Sequence, residues 1–137
     1  MIAIDTSVLV DLLAETDGAA AAEATLRQAL SHGPVVACAA VVAEIVAGLG
    51  HGSQLIDALE EAGISYSELE YRSAVRAGEM QRRHRERARA EPATPRRSMT
   101  EFMIGAHAQM QCQGLITRDP DFYRQFFKGL KLIVPLA

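Results

Sequence analysis

MIAIDTSVLVDLL, residues 1–13, sets a short apolar run directly before an acid, Asp5. An ionised carboxylate beside buried apolar residues costs free energy unless a helix N-terminus, a basic side chain or a shared metal ion pairs with it. The run IAI (2–4) is typical of a strand that is buried on both faces. Thr6 or Ser7 can cap the next segment, whose apolar residues recur at helical spacing. The stretch therefore predicts a buried strand, a polar exit and a helix, the unit from which parallel α/β sheets are built.

The same alternation of short strands and helices continues to the end of the chain. Four more strands are predicted at 35–38, 64–69, 115–117 and 130–135. Helices are predicted at 18–31, 41–49, 53–62, 70–90 and 99–113, with a turn or short helix after Asp119 and Pro120. The 137 residues suit one domain, 1–137. The pattern predicts a three-layer α/β sandwich with a five-stranded parallel sheet and helices on both faces.

Charge is distributed unevenly along the sequence. Residues 1–70 contain eleven acids and one arginine, whereas residues 71–97 contain nine arginines and three glutamates. This basic stretch has two interpretations, a binding surface for a polyanion or a solvated helix face. Within it, the segment EPATP (91–95) breaks the long helix and predicts a mobile loop.

The composition also suggests where the protein works. Cys38 and Cys112 belong to no CxxC pair, so we interpret them as free thiols in a reducing cytoplasm. No apolar run approaches the roughly 18 residues of a membrane span. The start MIAID lacks the basic region and the long apolar region of a signal peptide. We therefore expect a cytoplasmic protein without membrane association.

Four acids lie at the ends of predicted strands or near the starts of predicted helices: Asp5, Glu44, Glu101 and Asp119. Each has a structural explanation, as a helix-start acid or, for Glu101, as the partner of Ser98 in a capping box. In open parallel sheets, however, ligands bind beyond the carboxyl ends of the strands. Converging carboxylates repel unless a cation neutralises them, and Mg²⁺ or Mn²⁺ prefers oxygen ligands. Such a site would leave room for a phosphate and a water, which predicts phosphodiester hydrolysis.

The motifs that contain these acids resemble those of a known family. They are IDTSVLVDLL (4–13), AEIVAGL (43–49), EFMIGAHAQ (101–109) and LITRDPDFYRQFF (115–127). Together they resemble the PIN domain (PilT N-terminus) ribonucleases, and in particular the VapC-type toxins of bacterial toxin–antitoxin pairs. The resemblance spans nearly the whole chain, and the motifs occur in the family's order.

The resemblance implies a metal-dependent endoribonuclease that binds one or two Mg²⁺ or Mn²⁺ ions. By position, Asp5, Glu44, Glu101 and Asp119 would be its catalytic and metal-binding acids. The third place usually holds Asp, so Glu101 departs from the family pattern. Thr6 and Thr117 match places where the family often has a hydroxyl that lines the pocket. The implied partners are an RNA substrate, a small antitoxin whose C-terminal arm covers the site, and a second copy in a homodimer.

Two alternatives belong to other functional classes. A phosphoacceptor signalling domain shares the fold class, but it needs an acidic pair after the first strand, where this chain has only Asp5. A catalytically inactive PIN-like module that binds RNA or protein stays open, and Glu101 is the residue that favours it. A DxDxT phosphatase is excluded because Ser7 stands two residues after Asp5.

Several other polar and aromatic residues are expected to be structural. His107 lies about 120° around its helix from Glu101, so it should not share that residue's face. Asp11 and His84 are expected at the surface. The aromatic residues near the C-terminus are expected to pack in the core: Phe122, Tyr123, Phe126 and Phe127.

Overall fold

The computed structural model describes residues 1–136. The strands are β1 (Ile2–Ile4), β2 (Val35–Cys38), β3 (Ile64–Ser67), β4 (Gly114–Ile116) and β5 (Lys131–Ile133). The helices are α1 (Thr6–Leu13), α2 (Ala19–Leu30), α3 (Ala39–Leu49), α4 (Gly52–Glu61), α5 (Tyr71–Ala90), α6 (Met99–Gln111) and α7 (Pro120–Phe126). Every predicted strand is present, and the predicted fold class is confirmed. Within the described residues, no helix has both the length and the apolarity to cross a bilayer.

The sheet contains five parallel strands in the order β3-β2-β1-β4-β5. After β1 the chain adds β2 and β3 on one side, and it then returns to the other side of β1 to add β4 and β5. The direction of winding therefore reverses between β1 and β4, which opens a crevice beyond the carboxyl ends of these two strands. Asp5 directly follows β1 and Asp119 comes shortly after β4, so the topology delivers both acids to this crevice.

Burial along the strands follows their place in the sheet. All four residues of β2 are buried, as expected for an interior strand with helices on both faces. In the edge strand β3 only Ile64 is fully buried, and Tyr66 is exposed. Phe102 packs in the core with the aromatic residues of α7 and its end, mostly edge to face. The prediction that the C-terminal aromatic residues pack in the core is therefore confirmed.

Two boundaries differ from the prediction in ways that matter for the site. Helix α3 begins at Ala39, directly after β2, so Glu44 lies in the second turn and not near the helix start. The dipole at the helix N-terminus therefore gives little reason for an acid at this position. Strand β4 ends at Ile116, although the N–H of Thr117 still donates to the carbonyl of Ile133 at 2.9 Å. Thr117 is thus held firmly at the mouth of the crevice.

The expected surface positions of Asp11 and His84 are wrong. Asp11 is half-buried, where it forms a salt bridge with Arg118 and accepts a hydrogen bond from Thr16 Oγ1 at 2.6 Å. His84 is buried on α5, with its ring 5.7 Å from the ring centroids of Phe102 and Phe126. Both side chains are covered by residues distant in the sequence, which local periodicity does not reveal.

Gly105 allows α6 to approach the end of α7. A Cβ atom at this position would lie 2.2 Å from a ring carbon of Phe127, which is itself buried. We expect Gly105→Ala to lower the free energy of unfolding by about 1–3 kcal/mol, because overpacking outweighs the helix propensity that alanine adds. Thermal denaturation measures this change as a lower Tm.

Gly78→Ala provides the matched control for this prediction. Gly78 is also inside a helix, α5, but a Cβ atom there has no neighbour within 4 Å. This variant should keep or slightly raise the Tm, by the propensity of alanine alone. An unchanged Tm for Gly105→Ala would mean that Phe127 shifts without cost.

Candidate active site

Asp5 lies at the centre of the crevice. It is the N-cap residue of α1, but its side chain does not cap the helix. Its Oδ2 atom instead accepts a hydrogen bond from Thr117 Oγ1 at 2.7 Å. The side chain is largely buried, and this burial raises the pKa of Asp5 although hydrogen bonds from Thr117 and from the N–H of Thr6 act to lower it. Asp5 is therefore a buried carboxylate held by hydroxyl and amide donors.

Glu44 reaches the same crevice from α3. Thr6 Oγ1 donates to Glu44 Oε1 at 2.6 Å, while the N–H of Thr6 contacts Asp5, so one residue links both acids. The charge of Glu44 also contributes to raising the pKa of Asp5. Within residues 1–136 neither of these two carboxylates forms a salt bridge with a basic side chain. This pair of acids thus lacks a counter-charge from the described protein.

Glu101 and Asp119 form a second pair, bridged by Arg97. The Nη1 atom of Arg97 donates to Glu101 Oε2 at 3.0 Å and to Asp119 Oδ2 at 2.7 Å. Partial burial acts to lower the pKa of Arg97, but the bonds to Asp119 and Glu101 outweigh it and raise that pKa. The guanidinium also lies over the ring of Phe122, 4.7 Å from its centroid.

The structural explanations predicted for these two acids hold only in part. Glu101 and Ser98 do form a capping box, in which Glu101 Oε1 accepts from the N–H of Ser98 at 3.2 Å. Glu101 nevertheless keeps Oε2 for Arg97, so capping occupies only one of its oxygens. Asp119 stands at the N-cap of α7 before Pro120, but its side chain makes no capping bond. Its N–H donates to Thr117 Oγ1 at 3.0 Å.

Tyr123 connects the two pairs of acids. The side chain is 2% exposed, and burial together with the charges of Asp5, Glu101 and Asp119 raises its pKa. Three of the four predicted acids therefore act on one buried hydroxyl. A neutral phenol donates its O–H to a carboxylate oxygen, and the hydrogen bond from Tyr123 to Asp5 helps to hold that side chain in place.

The site's donor set suits the hard divalent cation that the resemblance implies. It consists of carboxylate and hydroxyl oxygens, which Mg²⁺ and Mn²⁺ prefer, and it includes a buried acid without a basic partner. In the arrangement of residues 1–136, however, no three Asp, Glu, His or Cys side chains are close enough together to hold a metal ion. The four acids stand as two pairs, and Arg97 occupies the oxygens of one pair.

A basic cavity adjoins the acids. This cavity of about 470 Å³ lies between the second half of α5 and the segment before α6. Arg97 lines it and also contacts Glu101 and Asp119. Its lining includes Arg85, Arg89 and Arg96, and none of these three forms a salt bridge within the part of the chain described. Unpaired arginines beside an acid site are suited to contact the phosphates of a nucleic acid.

His107 lies outside this site. It is fully buried on α6, and its Nε2 atom lies 2.9 Å from Ser67 Oγ at the end of β3. Burial lowers the pKa of His107, which favours the neutral ring. The prediction of a satisfied structural histidine is confirmed only for its burial and for Nε2, because Nδ1 is buried without a hydrogen-bond partner within residues 1–136.

Sequence reasoning missed two residues of the site, Arg97 and Tyr123. Arg97 precedes Glu101 by four residues, the spacing at which helical side chains pair, so this signal was present. Tyr123 follows Asp119 by four residues and was assigned only to the core. Its hydroxyl group needs a polar partner when buried, which is the signal that points to the acids.

Comparison with known proteins agrees with the fold described above. A family model for the PIN domain matches residues 2–127. A comparison with curated proteins gives no match. Among solved structures, the chain is similar to VapBC2 from Rickettsia felis bound to a promoter DNA fragment, with a TM-score of 0.72, 15% identity and 98% of each chain covered.

Two further structures are similar over nearly their whole length. VapC20 from Mycobacterium tuberculosis, described as a toxin that cleaves the sarcin–ricin loop, gives a TM-score of 0.61 at 18% identity and covers 96% of this chain and 99% of its own. FitAcB from Neisseria gonorrhoeae gives 0.62 at 19% identity, with 98% of each chain covered. At these identities the structures show the fold, and the family model shows the family. The chain belongs to the PIN domain family and has the fold of the VapC-type toxins.

Proposed function

We propose that this protein is an endoribonuclease that depends on Mg²⁺ or Mn²⁺ and acts as the toxin of a bacterial toxin–antitoxin pair. Its proposed catalytic and metal-binding residues are Asp5, Glu44, Glu101 and Asp119. The observation that carries the proposal is the approach of four acids, from four elements of the chain, to the switch point of the sheet. Membership of the PIN domain family supports the same conclusion.

The roles of the residues follow from their contacts. A bound divalent ion would supply the charge and the activated water that phosphodiester hydrolysis requires. Thr117 Oγ1 donates a hydrogen bond to the carboxylate of Asp5 and accepts one from the N–H of Asp119. One hydroxyl group therefore holds the acid after β1 and the backbone after β4 in a fixed relation. Thr6 Oγ1 orients the carboxylate of Glu44 by donating a hydrogen bond to it. The burial of Asp5 limits the water that competes for its oxygens.

The proposed partners are an RNA, a small antitoxin and a second copy of the chain. The similarity to VapBC2 and to a toxin–antitoxin complex from Klebsiella pneumoniae supports an antitoxin partner. The homodimer remains an expectation from the family resemblance. A reducing cytoplasm is the proposed location, with support from Cys38 and Cys112, which are both free thiols.

A catalytically inactive PIN-like module is the second candidate. The observation that favours it is the bridge from Arg97 to Glu101 and Asp119, because a permanent bridge would keep a metal from these oxygens. Glu101 in the usual place of Asp favours it too. Under this alternative the protein would bind RNA or protein through its basic surface without cutting.

An RNA cleavage assay distinguishes the two candidates. Purified protein is incubated with transfer RNA, ribosomal RNA, a messenger RNA and a sarcin–ricin loop hairpin, in Mg²⁺, in Mn²⁺ or in EDTA. We expect defined cuts in at least one RNA with either metal and none in EDTA. Binding without cutting in all three conditions would favour the inactive module and contradict the proposed activity.

RNA binding should depend steeply on salt because the unpaired arginines neutralise phosphates. Arg87, near the same end of α5, also forms no salt bridge within residues 1–136. We expect the triple variant Arg85→Ala, Arg87→Ala, Arg89→Ala to bind RNA more weakly and to reduce the slope of log affinity against log salt by about 2, or about 0.7 for each lost contact with single-stranded RNA. Fluorescence anisotropy in EDTA measures binding without cleavage.

The matched control for this measurement replaces arginines that are already paired. Arg27 forms a salt bridge with Glu23, and Arg72 forms one with Glu70. The double variant Arg27→Ala, Arg72→Ala should change the salt slope far less than the triple variant. An unchanged slope in the triple variant would mean that these arginines do not contact RNA phosphates, and that they form a solvated helix face or bind an acidic partner.

A further inference from the structure

We propose that Arg97 is an internal counter-cation of the acid site: it holds Glu101 and Asp119 in the metal-free protein, and a divalent cation must displace it. This inference rests on the proposed function, since it concerns the same four acids. It assigns to Arg97 a role as a positioning residue that sets how tightly the metal binds.

The contacts of Arg97 place one nitrogen of its charged guanidinium group between two predicted metal ligands. Nη1 lies 3.0 Å from Glu101 Oε2 and 2.7 Å from Asp119 Oδ2. No other basic side chain within residues 1–136 forms a salt bridge with either acid. Without Arg97, these two carboxylates would repel each other in the metal-free protein. Arg97 therefore supplies the charge that the metal would otherwise supply.

Arg97 and a metal ion would compete for the same oxygens. Glu101 Oε1 is engaged by the N–H and the hydroxyl of Ser98, so Oε2 is the oxygen left for another ligand. Arg97 donates hydrogen bonds to this Oε2 and to Oδ2 of Asp119. In the arrangement of residues 1–136 that contains this bridge, no three Asp, Glu, His or Cys side chains are close enough together to hold a metal ion. Metal binding thus requires that Arg97 release its hydrogen bonds to Glu101 and Asp119.

The surroundings of Arg97 allow this release without loss of a helix or strand. Arg97 lies in the segment 91–98, which has neither helix nor strand. Its side chain is about 30% exposed, so it can turn toward solvent. Cavities of about 380 Å³ and 470 Å³ flank it and give the guanidinium room to move. The ring of Phe122 lies under the guanidinium and can keep it near the site after release.

The alternative is a purely structural salt bridge that ties the segment 91–98 to α6 and α7. The two interpretations differ in their effect on metal binding in the absence of RNA. If Arg97 competes with the metal, its removal strengthens metal binding. If Arg97 only ties down the segment, its removal lowers the Tm and leaves metal affinity unchanged or weaker.

Calorimetric titration of the metal-free protein with Mn²⁺ alone tests the proposal. We expect Arg97→Ala to bind Mn²⁺ about tenfold more tightly than the unmodified protein, as two partly exposed ion pairs cease to compete. Arg97→Gln, which keeps most of the side-chain volume, should show the same direction if Arg97→Ala folds poorly. Arg96→Ala is the matched control, because it removes the same charge one residue earlier without a salt bridge to either acid.

Thermal denaturation of the same proteins gives an independent readout. In EDTA, Arg97→Ala should have a lower Tm than the Arg96→Ala control because the two acids are left without their shared cation. Saturating Mn²⁺ should then raise the Tm of Arg97→Ala more than that of the unmodified protein, since tighter binding stabilises the folded state more.

The outcomes separate a failure of this inference from a failure of the proposed function. Equal Mn²⁺ affinity in Arg97→Ala, Arg97→Gln and the unmodified protein would overturn the competition and leave the metal site standing. Mn²⁺ binding that Asp5→Asn does not weaken would overturn the proposed site itself. Absence of Mn²⁺ binding in every variant would overturn both.

Discussion

Asp5→Asn is expected to reduce metal-dependent RNA cleavage by about a thousandfold or more, while the protein stays folded. Asp5 is the most central of the four acids. It accepts hydrogen bonds from Thr117 Oγ1 and from the N–H of Thr6, and the charge of Glu44 acts on its pKa. Asparagine has nearly the same shape and can still accept the hydrogen bond from Thr117. It lacks the charge that holds a divalent cation. The loss should therefore appear in activity and Mn²⁺ affinity and not in the fold.

The stability of the metal-free Asp5→Asn protein should equal or exceed that of the unmodified protein at pH 7. Burial, and to a lesser degree Glu44, raises the pKa of Asp5 above its unfolded value. The folded state then binds more protons than the unfolded state between the two pKa values, so its stability falls as pH rises through this range. Asparagine does not titrate, so the difference in Tm between the two proteins should grow in favour of the variant as pH rises through this range and stay constant above it.

The control for both measurements is Asp57→Asn. Asp57 is an exposed acid on α4, so the same chemical change occurs away from the crevice. Its cleavage rate and its Tm should match those of the unmodified protein. Cleavage at the full rate by Asp5→Asn in saturating Mn²⁺ would remove Asp5 from the site.

Glu101→Gln should lose most activity, by about a hundredfold, whereas Glu101→Asp should keep or increase it. If Glu101 is the third metal ligand, its charge is required and its length only adjusts the geometry. Glutamine removes the charge that balances the cation. Aspartate keeps it, and it is the residue that the family usually has here.

The capping function of Glu101 predicts the opposite order. Glutamine serves at the N3 position about as well as glutamate, so Glu101→Gln would be nearly silent if capping were the whole role. The shorter aspartate would loosen the bond to Ser98 and cost on the order of 1 kcal/mol at most. Cleavage rate and Tm, measured for both variants, separate the two roles. A fully active Glu101→Gln protein would reduce the proposed site to three acids.

The elements of this fold could be predicted from the sequence because they depend on neighbouring residues. Short apolar runs such as VVAC (35–38) lie between Gly, Pro and helical segments, and each became a strand. Ser98 and Glu101 signal the start of α6, and the capping box is present. These signals act over a few residues, at the repeat of a strand or of a helical turn, and tertiary contacts only shift their ends.

The candidate acids could also be named from the sequence, by their position at strand ends or helix starts and by the family motifs. Their approach to one crevice, however, depends on the order β3-β2-β1-β4-β5, which places the ends of β1 and β4 side by side. Neither periodicity nor composition specifies that neighbour relation. The parallel crossovers decide it, and they bring Thr117 to Asp5 across more than a hundred residues.

The sequence by itself thus determined the fold class, the strands and helices, and which acids are candidates for the site. Only the tertiary structure decided which groups surround them: Arg97 between Glu101 and Asp119, and the buried hydroxyl of Tyr123 facing three acids. It also paired Asp11 with Arg118. The physical reason is range. Backbone hydrogen bonding and apolar periodicity are local, whereas the burial and charge around a side chain come from segments that only folding brings together.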